Sequence, residues 1–188
     1  AEALLGSAPR QETLLGQIKE ILKEKGYGGL DVDFEYIRPE LGAAYAAFVD
    51  RLRRELNPLG CSVLVALAPK TSAGQRGLLY EAHDYAALGR AANGVLLMTY
   101  EWGYTAGPPM AVAPLDKVRQ VVDYALTEIP AEKLFLGVPV YGYDWPLPFR
   151  EGVTRGESIS PQEALALARR HGAEIRYDET AQAPWFRY

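Results

Sequence analysis

Asp31-Val32-Asp33-Phe34-Glu35 places three carboxyl side chains at every second position of a short apolar run. In an extended strand, residues two apart share a face, so Asp31, Asp33 and Glu35 point one way and Leu30, Val32 and Phe34 the other. Each step along the carboxyl face is about 6.5 Å. In a partly desolvated site such a row cannot all ionise. At least one member keeps its proton near neutral pH, which is how a general acid is made. Two other readings fit the same five residues. An acidic, solvent-facing strand of an antiparallel sheet shows the same alternation, although helical patterns flank this one on both sides. Asp-x-Asp can also hold Mg²⁺ or Mn²⁺ under a nucleotide sugar, but here it lacks a phosphate-binding loop and an accompanying basic cluster.

The carboxyl run is one of four similar segments: 29–35, 62–68, 94–100 and 134–140, whose starts lie 33, 32 and 40 residues apart. Helical stripes separate them. Leu14, Leu15, Ile18, Ile21 and Leu22 form one, closed by Gly26. Leu41, Tyr45, Phe48, Val49, Leu52 and Leu56 form the next, opened by Pro39. A shorter helix is expected over 84–91, and another from Leu115 to about Glu128, ending before Pro130. Strand and helix alternating at this interval make the βα repeat of a parallel sheet. A doubly wound sheet would carry a Gly-rich phosphate turn after its first strand, whereas this strand runs into Tyr36-Ile37-Arg38-Pro39. A (β/α)₈ barrel remains, and a whole one needs about 250 residues and eight strands. The expected fold class is therefore α/β, part of a TIM barrel, over residues 1–144.

The tail reads differently. Ser160-Pro161-Gln162-Glu163 is a capping box opening a helix through Arg170. A short strand is expected over 173–177, followed by the aromatic segment 184–188. Residues 145–188 are thus expected to form a small α+β insertion, with a simple terminal cap as the alternative.

Composition removes several function classes. The chain has 188 residues, 48% of them hydrophobic and 23% charged, with a net charge of −4. A weakly acidic chain without a Lys/Arg run is a poor binder of nucleic acid or anionic membrane. No apolar stretch approaches the ~20 residues that span a bilayer. A single cysteine, Cys61, excludes an intrachain disulfide and a Cys-based zinc site, and it is expected to be a small buried hydrophobe. His83 and His171 lack ligand spacing and are expected at the surface or at caps. No metal and no cofactor is expected. The chain begins Ala-Glu-Ala, without Met or a signal peptide, and so reads as a processed or excised piece.

Gly29-Leu30-Asp31-Val32-Asp33-Phe34-Glu35 resembles the Asp-x-x-Asp-x-Asp-x-Glu signature on the fourth strand of family-18 glycoside hydrolases. Further matches follow in order. Residues 65–71 (VALAPKT) look like the fifth strand, Met98-Thr99-Tyr100-Glu101 resembles the Met-x-Tyr-Asp of the sixth, and residues 137–142 (GVPVYG) the seventh. Asp84-Tyr85, Gly107-Pro108-Pro109 and Tyr141-Gly142-Tyr143-Asp144-Trp145 look like the bacterial, LysM-associated branch, which includes spore-peptidoglycan N-acetylglucosaminidases. The resemblance covers about the fourth to seventh βα units. Strands 1 to 3 and the eighth, with its sugar-floor Trp, have no counterpart among these residues.

The resemblance implies retaining, substrate-assisted hydrolysis of β-1,4-linked N-acetylglucosamine polymers, chitin or peptidoglycan. Glu35 becomes the general acid, Asp33 holds the acetamide N–H, Asp31 shares a proton with Asp33, and Tyr100 bonds the acetamide oxygen. Met98, Glu101, Trp102, Tyr141, Tyr36 and Asp144 become substrate-binding residues. Two departures stand out: the signature's first Asp is Gly28, and the Asp after Tyr100 is Glu101, one methylene longer. A lectin-like module on the same fold is the competing class, although such relatives typically lose the acid that Glu35 retains. The implied location is extracellular, in the cell wall or spore envelope of a bacterium. Four strands leave two open barrel edges, so these residues alone are expected either to self-associate or to fold with marginal stability, and to be inactive.

Overall fold

The computed structural model describes residues 1–188, which form two compact units: Ala1–Met98 with Val122–Leu136, and Thr99–Val121 with Gly137–Tyr188. The expected boundary after residue 144 lies inside the second of them.

The first unit opens with a short helix, α1 (Glu2–Leu5), and a long one, α2 (Ala8–Lys25), capped by the Ser7 side chain. β1 (Gly29–Val32) follows, then α3 (Gly42–Leu56) after a 3₁₀ turn begun by Pro39, β2 (Ser62–Leu67), α4 (Tyr85–Ala91) and β3 (Gly94–Leu97). The chain returns through α5 (Leu115–Glu128) to β4 (Leu134–Leu136). The four strands are parallel and pair in sequence order, β1-β2-β3-β4. A doubly wound sheet reverses its strand order, and a barrel does not. This sheet is therefore a barrel arc.

Its two faces differ. Val32, Val63, Val65, Val95 and Leu97 are buried, as are Tyr45, Phe48, Val49, Leu52 and Leu56, the inner stripe of α3. On the opposite face the register aligns Asp31 with Leu64 and Leu96 with Phe135; Asp31 and Phe135 are exposed and the two leucines half-buried. Gly29 begins β1 because nothing larger fits: a Cβ there would lie 2.4 Å from the Ser62 carbonyl oxygen.

The strands are shorter than the sequence suggests. Pairing stops at Val32, Leu97 and Leu136, so Asp33, Glu35, Met98, Tyr100, Pro139 and Tyr141 lie beyond the ladder. At the ends of β1 and β2, side chains take up the backbone groups. The Val32 carbonyl accepts from the Tyr45 hydroxyl, the Phe34 carbonyl faces the His83 ring, and the Ala68 amide also goes to His83.

In the second unit, β5 (Gly142–Asp144) and β6 (Glu157–Ile159) pair antiparallel, as do β7 (Arg176–Asp178) and β8 (Ala183–Trp185). α6 (Pro161–His171) lies between the pairs and carries the expected capping box from Ser160 and Glu163. β5 pairs inside this unit, which is why the α+β region begins before residue 145. The loop after β3 belongs here too: Leu115 N–H donates to Ala181 O, and Gly156 N–H to Thr105 O at 2.7 Å.

Candidate active site

Asp31 closes the exposed side of β1, and Asp33 and Glu35 continue the alternation past its end; all three are exposed. Their neighbours turn inward. Val32 is buried, and Phe34 stacks on Tyr45 and Phe48 at 5.6 and 6.2 Å between centroids. Partial desolvation, with the charge of Asp33 beside it, raises the Asp31 carboxyl above its ordinary 3.8. An adjacent backbone amide opposes the shift without cancelling it. Both causes penalise the charged form, so a proton is retained more readily here than on a free aspartate.

Behind the carboxylates lies a buried polar frame. His83, 1% exposed, accepts the Ala68 N–H on Nδ1 at 2.9 Å, and its Nε2 stands 2.9 Å from the Phe34 carbonyl. An amide only donates and a carbonyl only accepts, which fixes the neutral tautomer with the proton on Nε2. Burial pushes the imidazole below its ordinary range, in agreement. The Tyr85 hydroxyl accepts from Lys70 N–H at 3.0 Å and donates to Ala68 O at 2.7 Å. Lys70, also buried, donates from Nζ to the His83 carbonyl, and burial pushes its ammonium down. Burial likewise raises the phenols of Tyr45 and Tyr85.

The second unit holds a different cluster. Glu101 sits at φ 67°, a strained region for a residue with a side chain. Its Oε1 accepts from both Tyr141 and Tyr143 hydroxyls, each at 2.8 Å. Burial, and after it the bond to Glu101, pushes Tyr143 up to about 12 and Tyr141 upward as well. Aromatic rings continue the row: Tyr141 meets Tyr143 edge-on at 5.8 Å, and Tyr143 leans on Trp145 at 5.6 Å. Trp145 rests on Gly156, where a Cβ would come within 2.7 Å of its Nε1. That indole N–H is buried with no hydrogen-bond partner.

The expected site residues thus fall into two groups. Asp31, Asp33, Glu35, Tyr36 and Met98 belong to the first unit, and Tyr100, Glu101, Trp102, Tyr141 and Asp144 to the second. Tyr36 is exposed at φ 52°, and Met98 is buried, its N–H donating to Leu67 O. Trp102 is half-buried, with its N–H on Val112 O. Asp144 accepts from the Tyr188 hydroxyl. No group of three His, Cys, Asp or Glu side chains is placed to hold a metal ion, and no helix is long and apolar enough to cross a membrane.

Two expectations need correction. His83 is not a surface residue; it is one of the most buried polar groups. Its signal was present in the sequence, since it directly precedes Asp84, the N-cap of α4, and that position packs inward. Cys61 is half-exposed rather than buried, because it precedes β2 instead of starting it. The bonds of Lys70, Tyr85 and Tyr143 to His83, Ala68 and Glu101 are not readable from the sequence, and only three-dimensional proximity identifies them.

Comparison with known proteins finds that the family model Glycosyl hydrolases family 18 matches residues 3–188. The cortical fragment-lytic enzyme of Bacillus subtilis (strain 168) is 48% identical over 185 residues, 98% of this chain and 43% of the relative. Among solved structures, the Bacillus megaterium spore cortex-lytic enzyme SleL aligns with a TM-score of 0.93 at 47% identity, over 99% of this chain and 42% of that one. A Chromobacterium violaceum chitinase aligns at 0.89 with 28% identity, over 99% and 56%. The chain therefore spans less than half the length of the curated relative and of SleL.

Proposed function

The chain belongs to glycosyl hydrolase family 18, and from that premise we propose that it carries the acid-bearing part of an enzyme cleaving β-1,4-linked N-acetylglucosamine polymers. Spore-cortex peptidoglycan is the substrate favoured over chitin, since the relatives near half identity are cortex-lytic enzymes and the chitinase is more distant. The corresponding place of action is the spore envelope of a bacterium. One observation carries the reading: the β1 end keeps Asp31, Asp33 and Glu35 open to solvent while Val32 is buried and Phe34 packs on Tyr45 and Phe48.

In this reading Glu35 donates its proton to the glycosidic oxygen as the bond to the anomeric carbon breaks. The substrate's own 2-acetamido oxygen attacks that carbon and forms an oxazolinium ion, so no enzyme nucleophile is needed. Asp33 accepts the acetamide N–H and offsets the positive charge. Asp31, whose carboxyl is raised, carries the proton the pair shares. Tyr100 bonds the acetamide oxygen. Water, deprotonated by Glu35, then opens the oxazolinium with net retention of configuration. Glu101, held by its two phenols, offers an acceptor for a sugar hydroxyl, and the family resemblance names Tyr36, Met98, Trp102, Tyr141 and Asp144 as further substrate-binding residues.

Glu35→Gln in the full-length protein tests this. The substitution keeps the shape and removes the acid, so kcat on cortex fragments falls at least ~100-fold with KM little changed. Undiminished turnover would end the hydrolase assignment to Glu35. Product bearing the α anomer, read by proton NMR, would instead end the substrate-assisted step.

A further inference from the structure

We propose that His83 is a positioning residue for the Asp33–Glu35 segment, clamping the Phe34 carbonyl between two site carboxylates so that Glu35 is presented from a fixed backbone. The inference rests on the reading of Glu35 given above.

The segment needs such a clamp. β1 ends at Val32, so the strand ladder does not reach the Phe34 carbonyl. Phe34 is tied twice instead: its ring by Tyr45 and Phe48, its carbonyl by Nε2–H of His83 at 2.9 Å. The imidazole is itself immobile. Ala68 N–H occupies Nδ1, Lys70 Nζ holds the His83 carbonyl at 3.0 Å, and the Tyr45 ring packs 6.0 Å away. The Tyr85 hydroxyl bridges Lys70 N–H and Ala68 O and thereby fixes the stretch from which the ring is held. His83 itself is only 1% exposed. A peptide carbonyl held this way constrains the residue that follows it, and misplacing an acid by about 1 Å costs on the order of 100-fold in rate.

The two ring nitrogens can be tested separately in the full-length protein. His83→Gln can return an N–H at the Nε2 position, whereas His83→Asn can satisfy Ala68 but cannot reach Phe34. The expectation is a kcat loss of about 10- to 100-fold for H83N with KM within about twofold, and substantial recovery in H83Q. ¹⁵N NMR of the wild type is expected to show the Nε2-protonated, neutral tautomer at pH 7. The opposite tautomer, or an imidazolium, would overturn the clamp. Equal losses in both variants, in step with a falling Tm, would mark His83 as structural only and overturn it too. Glu35→Gln separates the two layers. An inactive E35Q beside a fully active H83N removes this inference alone, whereas full turnover in E35Q removes the glycosidase reading and this inference with it.

Discussion

In the first unit the carboxylates at the end of β1 stand in the open and everything behind them is buried. In the second, Glu101 is exposed and the two tyrosines that hold it are half-buried. The first arrangement leaves Asp31 poorly satisfied, its proton held more firmly by desolvation and by Asp33. The second satisfies one oxygen of Glu101 twice over. A carboxyl with a raised pKa suits proton transfer; a carboxylate anchored by two donors suits a fixed acceptor. The fold separates these jobs by burial. A buried polar frame lies behind the first carboxylates, and two half-buried phenols hold the second.

The largest expected effect lies in the buried frame. Tyr85→Phe removes the hydroxyl that serves Lys70 N–H and Ala68 O, both deeply buried, and leaves two backbone groups without partners. Each orphan costs about 1–3 kcal/mol, so a loss of about 2–6 kcal/mol is expected in urea unfolding of the full-length protein. Tyr143→Phe leaves Glu101, which is exposed and still held by Tyr141, and should cost under ~1 kcal/mol. Similar losses for the two would abolish the distinction between the regions.

Asp31→Asn is expected to act with the opposite sign. A folded-state carboxyl raised above the unfolded value loses stability as pH rises from 3.8 through its native value. Asn carries no such penalty. The variant should therefore melt higher than wild type at pH 7 by a modest margin, under ~1 kcal/mol because the side chain is exposed and screened. The gain should vanish well below pH 3.8, where both states are protonated. Turnover should fall in the same variant. A gain that is independent of pH would mean the charge of Asp31 is not the cause.

Much of this was legible in the residues alone. The 3.6-residue stripe of α3, the Ser160–Glu163 box and the period-2 row of carboxyls all report local rules, and the structure repeats them at the same positions. Strand ends were not legible. Val32, Phe34 and Ala68 give their backbone groups to Tyr45 and His83, which lie 13 to 49 residues away in sequence. No window read along the chain contains those bonds. The bond of Tyr143 to Glu101 is hidden for the same reason, since the two lie 42 residues apart.

The smallest effect sharpens the second half of the comparison. Tyr141 and Tyr143 donate to the same oxygen, Oε1, at the same 2.8 Å, so they compete for its charge as well as share it. Removing either phenol leaves the other to anchor Glu101, and a water can take the vacated place. Each single Phe variant should therefore raise KM only a few-fold, while the double variant frees the carboxylate and loses more than the sum, a coupling of about 0.5–1 kcal/mol. The raised phenols bear on the pH range of the effect. With Tyr143 at about 12 and Tyr141 also shifted up, both remain donors throughout the neutral range, so the coupling should not change between pH 6 and 9. Strict additivity in kcat/KM would show that the shared oxygen is not what the two rings have in common. The strained backbone at Glu101 would then be the anchor, and the phenols only its neighbours.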